Sequence, residues 1–340
     1  MSASAPQTIA VVGAGSWGTA LAIQLARAGC RVRLGGVVEI DLLEAMVEDR
    51  ENRRYLPDAA FPPALTAHPD LADCLSGADD VLVVVPSHGL RDTLGQIKPL
   101  LGSDTRVCWA TKGFELATGK LPHQVAAEVL GPDMPVAVLS GPTFAKEVAA
   151  GLPSALTIAS NDKAFARDLA EAISSDNFRA YTSDDIIGVE VGGAVKNALA
   201  IGAGMSDGLG FGANTRIALI NRGLVELMRL GVALGAQKET FMGLAGMGDL
   251  VLTCTDDLSR NRRMGLALAA GTTVEEAQQE IQQVVEGVKA ARAVHDVAHK
   301  LGIEMPIIDQ VYSILYEGKT PREAVEALMT RELKHESESA

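Results

Sequence analysis

Residues 9–18 read Ile-Ala-Val-Val-Gly-Ala-Gly-Ser-Trp-Gly, and a helical pattern follows over residues 19–28. The four apolar residues predict a buried strand, and Gly13, Gly15 and Gly18 have the G-x-G-x-x-G spacing of a dinucleotide-binding turn. The first glycine permits the tight turn, the second lets the backbone approach a pyrophosphate, and the third lets the helix lie close to the strand. The strand–turn–helix context favours a nucleotide site over a purely structural turn, because the N–H groups at the helix start bind phosphates.

Short apolar runs alternate with longer amphipathic stretches through the first half of the chain. We predict strands at six of these runs, Ile9–Val12, Val32–Leu34, Val81–Val85, Val107–Ala110, Val136–Leu139 and Leu156–Ala159. Several are apolar at consecutive positions, as in central strands of a parallel sheet that helices cover on both faces. The alternation predicts an α/β fold with a Rossmann-type, doubly wound, mostly parallel sheet that ends near Ser183.

After residue 184 the strand-like runs stop and long helical patterns follow. We predict helices over residues 186–205, 215–235, 259–271, 274–301, 306–315 and 321–332. The change of pattern predicts two domains. A dinucleotide-binding domain covers residues 1–185, and an all-α C-terminal domain that binds substrate and carries the catalytic group covers residues 186–340.

Composition excludes several classes of protein. The chain has 340 residues, is 47% hydrophobic and carries a formal net charge of −13. This is too apolar for a disordered protein, and the acidic balance argues against binding nucleic acid or anionic lipid. The four cysteines are scattered and form no CxxC pair, so we expect buried thiols and neither a disulfide framework nor a metal site.

Two absences bear on location. The segment before Ile9 has no basic residues, which argues against a signal peptide. The apolar segment after Gly188 is interrupted by Glu190, Lys196 and Asn197, so no uninterrupted apolar run approaches the ~18 residues of a membrane span. We expect a soluble, cytoplasmic protein.

The choice between NAD and NADP depends on the end of the second strand. An acid there accepts a ribose 2′-hydroxyl, whereas an arginine accommodates a 2′-phosphate. Residues 34–39 read Leu-Gly-Gly-Val-Val-Glu, with neither type at the strand tip, and Glu39 and Asp41 belong to the stretch beyond it. The sequence leaves both cofactors open.

Polar segments follow three other predicted strands, at the sheet edge where ligands of open α/β folds bind. They are Pro86-Ser87-His88, Thr111-Lys112-Gly113 and Ser140-Gly141-Pro142-Thr143. A lysine between Thr and Gly at a strand tip favours ligand binding by Lys112 over a solvated surface role.

Lys196 lies in a helical segment with so few polar residues that we expect the segment to be buried. The alternative is a lysine that reaches the surface, but glycines at 192, 193, 202 and 204 predict close backbone packing around it. Burial disfavours the charged amine and moves its pKa towards neutrality, where it exchanges protons readily. Lys196 is therefore the candidate catalytic residue.

An anion site is predicted at residues 259–263, Ser-Arg-Asn-Arg-Arg, at a likely helix start. Ser259, Arg260 and Asn261 supply hydroxyl, guanidinium and amide donors beside a helix N-terminus. The alternative, a solvated basic face, remains open for Arg262 and Arg263. Three roles are open for Asp249, which lies in the segment Gly246-Met247-Gly248-Asp249-Leu250. It orients a substrate hydroxyl, it pairs with Lys196, or it is an acid with a structural role in a turn.

These parts predict one reaction. A nicotinamide accepts hydride from a carbinol carbon, Lys196 takes the hydroxyl proton, and an arginine-lined site holds a remote anionic group, whose binding energy positions the reacting carbon. Two rival hypotheses remain: another β-hydroxyacid dehydrogenase with a catalytic lysine, and a non-catalytic sensor of nicotinamide nucleotides.

The ordered motifs from Ile9 to Leu328 resemble bacterial NAD(P)-dependent sn-glycerol-3-phosphate dehydrogenases. The resemblance rests on residues 13–18 (GAGSWG), 52–57 (NRRYLP), 84–87 (VVPS), 111–113 (TKG), 140–145 (SGPTFA), 193–197 (GAVKN), 246–250 (GMGDL), 259–263 (SRNRR) and 285–287 (VEG).

The resemblance implies the interconversion of glycerol 3-phosphate and dihydroxyacetone phosphate, with Lys196 as proton acceptor. It also implies a cytoplasmic homodimer that supplies glycerol 3-phosphate for phospholipid synthesis. The implied substrate contacts are Lys112, Gly141, Thr143, Lys196, Asp249, Ser259, Arg260 and Asn261. The implied cofactor contacts, besides the three glycines, are Ser16, Trp17, Lys112, Ala145, Arg260, Val284 and Glu286.

One departure from the family concerns the cofactor. The family usually has Trp, a small residue and then His or Arg after the second strand, whereas this chain has Gly35-Gly36-Val37. The basic residue that would contact the adenosine ribose or its phosphate is missing.

Overall fold

The computed structural model describes residues 6–281, 284–332 and 335–336. These residues form two compact units. The sheet unit comprises the chain up to Lys112 together with Pro122–Ile186, and the helical unit comprises Gly113–Leu121 together with the chain from Ile187.

The described residues of the sheet unit form ten strands. They are β1 (Thr8–Val12), β2 (Arg31–Gly35), β3 (Glu51–Asn52), β4 (Leu56–Ala60), β5 (Leu65–Ala67), β6 (Asp80–Val83), β7 (Arg106–Trp109), β8 (Val136–Ser140), β9 (Ser154–Ser160) and β10 (Phe178–Ser183). Eight of them form one sheet in the order β10-β9-β8-β7-β6-β1-β2-β5, and β3 pairs with β4 in a separate ribbon. The six predicted strands are all present.

The strand order reverses between β1 and β6, which pair in parallel at the centre of the sheet. From β1 the chain adds β2 and β5 on one side, and from β6 it adds β7 and β8 on the other. In doubly wound sheets the crevice for ligands opens outside the carboxyl ends of the two strands at this reversal. Gly13 follows β1, and residues 84–87 follow β6.

The last two strands run against the rest: β9 is antiparallel to β8, and β10 is parallel to β9. The reason lies in the connection after β8. Gly151, with a φ of 75°, ends the intervening helix after six residues, a length of about 9 Å. The helix is shorter than β9, so it does not carry the chain back to the edge of the sheet where β8 began. The chain therefore enters β9 from the edge at which β8 ends, and β9 runs antiparallel to β8.

Seven helices complete the sheet unit. They are α1 (Ser16–Arg27), α2 (Ile40–Asp49), α3 (Leu71–Leu75), α4 (Leu90–Ile97), α5 (Pro122–Leu130), α6 (Ala145–Ala150) and α7 (Lys163–Ile173), with 3₁₀ turns at Ser87–Gly89 and Lys98–Leu100. The mostly parallel sheet with its helices confirms the predicted fold class.

In the part of the second unit that the structure describes, the regular elements are all helices, as predicted. They are α8 (Ile186–Gly208), α9 (Ala213–Ala233), α10 (Asp249–Thr255), α11 (Arg260–Ala269), α12 (Val274–Ile281), α13 (Glu286–Leu301), α14 (Pro306–Tyr316) and α15 (Pro321–Met329). A 3₁₀ turn at Lys238–Met242 and a π-helical turn at Leu244–Gly248 precede α10.

One predicted helix was wrong. The single helix expected over residues 274–301 is two helices, because Val285 is extended and α13 begins at Glu286. Residues 282–283 lie outside the described residues. The helical unit also includes the segment Gly113–Leu121, because Phe114 and Leu121 are buried in its core.

Helix α8 is buried along nearly its whole length, from Gly188 to Ser206. A Cβ atom added to Gly192 would lie 2.3 Å from the carbonyl oxygen of Ala245, and one added to Gly204 would lie 2.1 Å from that of Arg262. These glycines therefore let the π-helical turn and α11 pack directly on the backbone of α8, as the sequence predicted.

Among the described residues, α8 is also the one helix long and apolar enough to cross a membrane, with a mean hydropathy of 1.4 over 18 residues. However, 89% of that window is buried inside the protein, which is the packing of a core helix.

A buried carboxylate anchors the start of α14. Glu226 on α9 accepts hydrogen bonds from the N–H groups of Ile307 and Ile308 at 2.7 and 3.2 Å. Burial raises the pKa of Glu226 to about 8, although both N–H donors favour the charged form. The side chain thus caps a helix from a distant part of the chain.

Gly204→Ala tests the close packing of α8 and α11. We expect the free energy of unfolding to fall by about 1–3 kcal/mol, because the new methyl group overlaps the Arg262 carbonyl. The control is Gly95→Ala on the exposed side of α4, where an added Cβ meets no atom within 4 Å. It should raise stability by roughly 0.5–1 kcal/mol. Urea denaturation followed by circular dichroism measures both, and equal effects would contradict the packing argument.

The pH dependence of stability tests Glu226. The ordinary pKa of the group is 4.5 and the folded value is about 8, so between these values the folded state holds a proton that the unfolded chain has released. Its contribution to stability is therefore greatest below pH 4.5 and is lost as the pH rises through about 8. Glu226→Gln should remove this slope, whereas Glu239→Gln, at an exposed position, should retain it. Identical slopes in the two variants would refute the assignment.

Candidate active site

The glycine turn after β1 has the geometry that its spacing predicted. Gly13 has a φ of 123° and donates its N–H to the oxygen of Gly35 at 2.8 Å. A Cβ atom at Gly18 would lie 1.8 Å from the Gly13 oxygen, whereas one at Gly15 would meet nothing within 4 Å. The helix therefore lies against the turn at Gly18, and the backbone at Gly15 is open to a ligand.

The start of α1 offers hydrogen-bond donors to a ligand. Gly15 is the N-cap residue, and no side chain caps the helix. Trp17 is half-buried, and its Nε1 is shielded from solvent and hydrogen bonds to no described residue. Uncapped N–H groups at a helix N-terminus bind phosphates. The turn therefore fits a dinucleotide, and its open side lies at Gly15 and the first residues of α1.

The other predicted ligands of the sheet unit follow the carboxyl ends of β7 and β8. Lys112 is half-buried just after β7, and the preceding Thr111 donates to the Val85 oxygen at 2.7 Å. Gly141 follows β8, where a Cβ atom would lie 2.8 Å from Cα of Leu156, and the Thr143 hydroxyl donates to the Gly141 oxygen at 3.2 Å. Ala145 begins α6. The parallel pairings of β1, β6, β7 and β8 place these segments at one sheet edge.

Lys196 of α8 is the centre of a buried polar cluster in the helical unit. Its Nζ donates to Asp249 Oδ1 at 2.5 Å and to Thr253 Oγ1 at 3.1 Å. Lys196 is 7% exposed and Asp249 1%. Of the roles that the sequence left open for Asp249, the structure shows the pairing with Lys196.

Thr253 orients this cluster, a role that the sequence analysis missed. Its hydroxyl donates to the Asp249 main-chain oxygen at 2.6 Å, which leaves a lone pair to accept from Lys196. The i, i+4 spacing of Asp249 and Thr253 on α10 was the available signal, because it places both on one helix face. Burial raises the pKa of the neighbouring Cys254 to about 12, so its thiol stays protonated.

Two asparagines link the starts of α11 and α13 to α8. Asn261 Nδ2 donates to Asn197 Oδ1 at 2.9 Å, and its Oδ1 accepts the Gly287 N–H at 2.9 Å. Asn197 Nδ2 donates to Glu286 Oε2 at 3.3 Å. Glu286 is thus held at the first position of α13, and the preceding Val284 is exposed. Asn197 lies in the motif at residues 193–197, but the sequence predicted no role for it.

The predicted anion site at the start of α11 divides into two parts. Ser259 caps the helix, since its Oγ accepts the Arg262 N–H at 3.2 Å. Arg262 was left open as a solvated residue, but it is buried and pairs with Asp207 at 2.7 Å and with Asp257. Arg260 is half-buried at the first helical position and pairs with no acid among the described residues. Its guanidinium is therefore available to an anion.

A group of possible metal ligands lies on α13 and α14 in the described part of the chain: His295, His299 and Asp309, with their ligand atoms within 4.8 Å of one another. The His295 ring stacks on Tyr312 at 3.8 Å, and His299 pairs with Asp309 at 3.5 Å. These contacts account for the group as packing between two helices, and we assign no metal to it.

Comparison with known proteins gives consistent matches along the chain. The protein-family model described as NAD-dependent glycerol-3-phosphate dehydrogenase N-terminus matches residues 8–166. The family model of the C-terminus of the same enzyme matches residues 185–326. A protein of Shewanella halifaxensis named glycerol-3-phosphate dehydrogenase [NAD(P)+] is 56% identical over 333 residues, 98% of each chain. One of the same name from Aliivibrio fischeri is 56% identical over 97% of this chain and 96% of its own.

A solved structure supports the same relationship. The crystal structure of glycerol-3-phosphate dehydrogenase from Coxiella burnetii is 50% identical, covers 96% of this chain and 99% of its own, and superposes with a TM-score of 0.92. The matches cover both units of the fold, including the glycine turn and the lysine–aspartate cluster. This chain therefore belongs to the NAD-dependent glycerol-3-phosphate dehydrogenase family.

Proposed function

We propose that this protein interconverts sn-glycerol 3-phosphate and dihydroxyacetone phosphate, with NAD or NADP as cofactor. The observation that carries the proposal is the buried cluster of Lys196, Asp249 and Thr253, in a chain 56% identical to enzymes named for this reaction. A buried amine held at a fixed position is suited to exchange a proton with a substrate oxygen.

The sheet unit binds the cofactor. Gly15 and the uncapped N-terminus of α1 would hold its pyrophosphate, with Ser16 and Trp17 as further contacts. The nicotinamide supplies a two-electron acceptor for the hydrogen on the carbinol carbon, or a donor in the reverse direction. Lys112 and Ala145, at the same sheet edge, are further proposed contacts, as are Arg260, Val284 and Glu286 of the helical unit.

Lys196 carries the proton. In the oxidation direction its neutral amine accepts the proton of the substrate hydroxyl while the C–H hydrogen leaves with its electron pair, and the C–O single bond becomes a carbonyl. In the reduction direction the ammonium returns the proton to the oxygen. Burial disfavours a charge on the Lys196 amine, whereas the Asp249 carboxylate beside it stabilises the ammonium.

The substrate phosphate binds at the start of α11. Arg260 supplies a guanidinium that pairs with no acid among the described residues, and the N-terminal end of the helix supplies partial positive charge. Asn261 and Ser259 lie in the same turn, and Lys112, Gly141 and Thr143 are proposed as the substrate contacts of the sheet unit. The resemblance to the family further supports a cytoplasmic homodimer that supplies glycerol 3-phosphate for phospholipid synthesis.

Lys196→Met tests the proton transfer. We expect kcat for dihydroxyacetone phosphate reduction to fall by about 10²–10⁴-fold, because the substrate oxygen loses its proton donor. The dissociation constant for NADH, measured by calorimetry, should stay within about twofold of wild type. Lys300→Met, on the exposed end of α13, is the matched control and should retain full turnover.

The variant leaves Asp249 buried beside an apolar side chain, which destabilises the fold. The double variant Lys196→Met, Asp249→Asn removes that charge, so it separates loss of chemistry from loss of structure. Normal turnover in either variant with intact folding would contradict the proposed role of Lys196. A wild-type protein that binds NADH but turns over no substrate would instead favour a nucleotide sensor.

Arg260→Ala tests the phosphate site. We expect KM for glycerol 3-phosphate to rise about tenfold or more, since a charge-assisted hydrogen bond to the phosphate is lost. The KM for a neutral diol, propane-1,2-diol, should change little. Arg263→Ala removes an equal charge at an exposed position and serves as the control. If both substrates respond equally to Arg260→Ala, the phosphate does not bind here.

A further inference from the structure

Glu39 occupies an unusual backbone position just beyond β2. The strand ends at Gly35, and Glu39 adopts the left-handed conformation, with φ 58° and ψ 47°, before α2 begins. Residues other than glycine rarely adopt this conformation, and such positions cluster at functional sites.

Two donors hold one oxygen of the Glu39 carboxylate. The Tyr55 hydroxyl donates to Oε1 at 2.8 Å, and Arg54 pairs with the same atom at 3.1 Å. Burial and this hydrogen bond raise the pKa of Tyr55, so its hydroxyl remains a donor at neutral pH. Oε2 accepts no hydrogen bond from the described residues, so it is the open acceptor of this group.

Asn52 ties these residues to the glycine turn. It is fully buried, and its Nδ2 donates at 2.8 Å both to the Ala14 oxygen and to the Thr19 hydroxyl. Its Oδ1 accepts the N–H of Tyr55 at 3.1 Å. The turn between β3 and β4, which carries Arg54 and Tyr55, is thereby fixed to the loop that binds the pyrophosphate.

We propose that Glu39 makes the cofactor site selective for NAD(H) over NADP(H), with Oε2 accepting the 2′-hydroxyl of the adenosine ribose. The inference rests on the proposed cofactor site. The position of Glu39 in the sequence supports the inference, because Glu39 follows Gly18 by 21 residues. Doubly wound folds place the acid that binds this hydroxyl about 20 residues after the glycine motif.

The charges around the site favour the same choice. A 2′-phosphate would meet the Glu39 carboxylate, and Gly35, Gly36 and Val37 offer it no cation. The guanidinium of Arg54 is already paired with Glu39 and is 62% exposed. Repulsion by the carboxylate therefore outweighs the attraction that Arg54 can offer.

Calorimetric titration of the full-length protein with NADH and with NADPH tests the inference, because the two ligands differ only by the 2′-phosphate. We expect wild type to bind NADH at least tenfold more tightly. Glu39→Gln should weaken the binding of NADH and strengthen the binding of NADPH. The dissociation constant for NADPH divided by that for NADH should therefore fall about tenfold or more. Tyr55→Phe should shift the ratio in the same direction by less.

Asp41→Asn is the matched control, since it removes one exposed acid two residues away and should leave the ratio unchanged. Wild type with equal affinities, or with a preference for NADPH, would overturn the inference, as would Glu39→Gln with an unaltered ratio. If wild type binds neither nucleotide, the proposed cofactor site fails and the inference with it. Thermal melting checks that Glu39→Gln folds.

Discussion

The burial of one positive charge is the constraint on which the helical unit depends. An ammonium taken out of water costs several kcal/mol even after relaxation, and the cost is offset only if its hydrogen bonds are satisfied in good geometry. Lys196 meets that condition through Asp249 and Thr253, both on α10. The position of α10 relative to α8 is therefore set by the charge as much as by apolar packing.

Backbone proximity makes this pairing possible. The π-helical turn that leads into α10 contacts α8 at Gly192, where any side chain would overlap the Ala245 carbonyl. The sheet unit uses the same device at Gly13 and Gly18, where α1 lies directly on the turn after β1. In both units glycine is required because two backbone segments approach each other closely, which a Cβ atom would prevent.

Local patterns in the sequence were sufficient for much of this structure. Consecutive apolar residues identified the buried strands, and the helical periodicity identified the second unit. The sequence did not predict four strands, β3, β4, β5 and β10. None of them contains a continuous apolar run, and their pairing depends on distant partners. The broken helix at Val285 was missed because its helical spacing continues across the break.

The candidate site shows the same division. Lys196 was identifiable because a cation in an apolar helix is costly, so it needs a reason to be there. The partner of Lys196 was not identifiable, because the choice among three roles for Asp249 depended on tertiary packing. Arg262 could not be separated from Arg260 by residue type, and only the acids at 207 and 257 distinguish them.

The acidic balance of the chain now has a local explanation. Of the arginines at the start of α11, the one that acids neutralise is Arg262, and this pairing holds the helix in place. Arg260, two residues earlier, forms no ion pair with a described acid, so its charge is not compensated locally. A net charge of −13 therefore coexists with a small positive region. Because the field of a fixed charge is strongest over short distances, a compact phosphate ester gains from that region, whereas an extended polyanion also meets the surrounding acids.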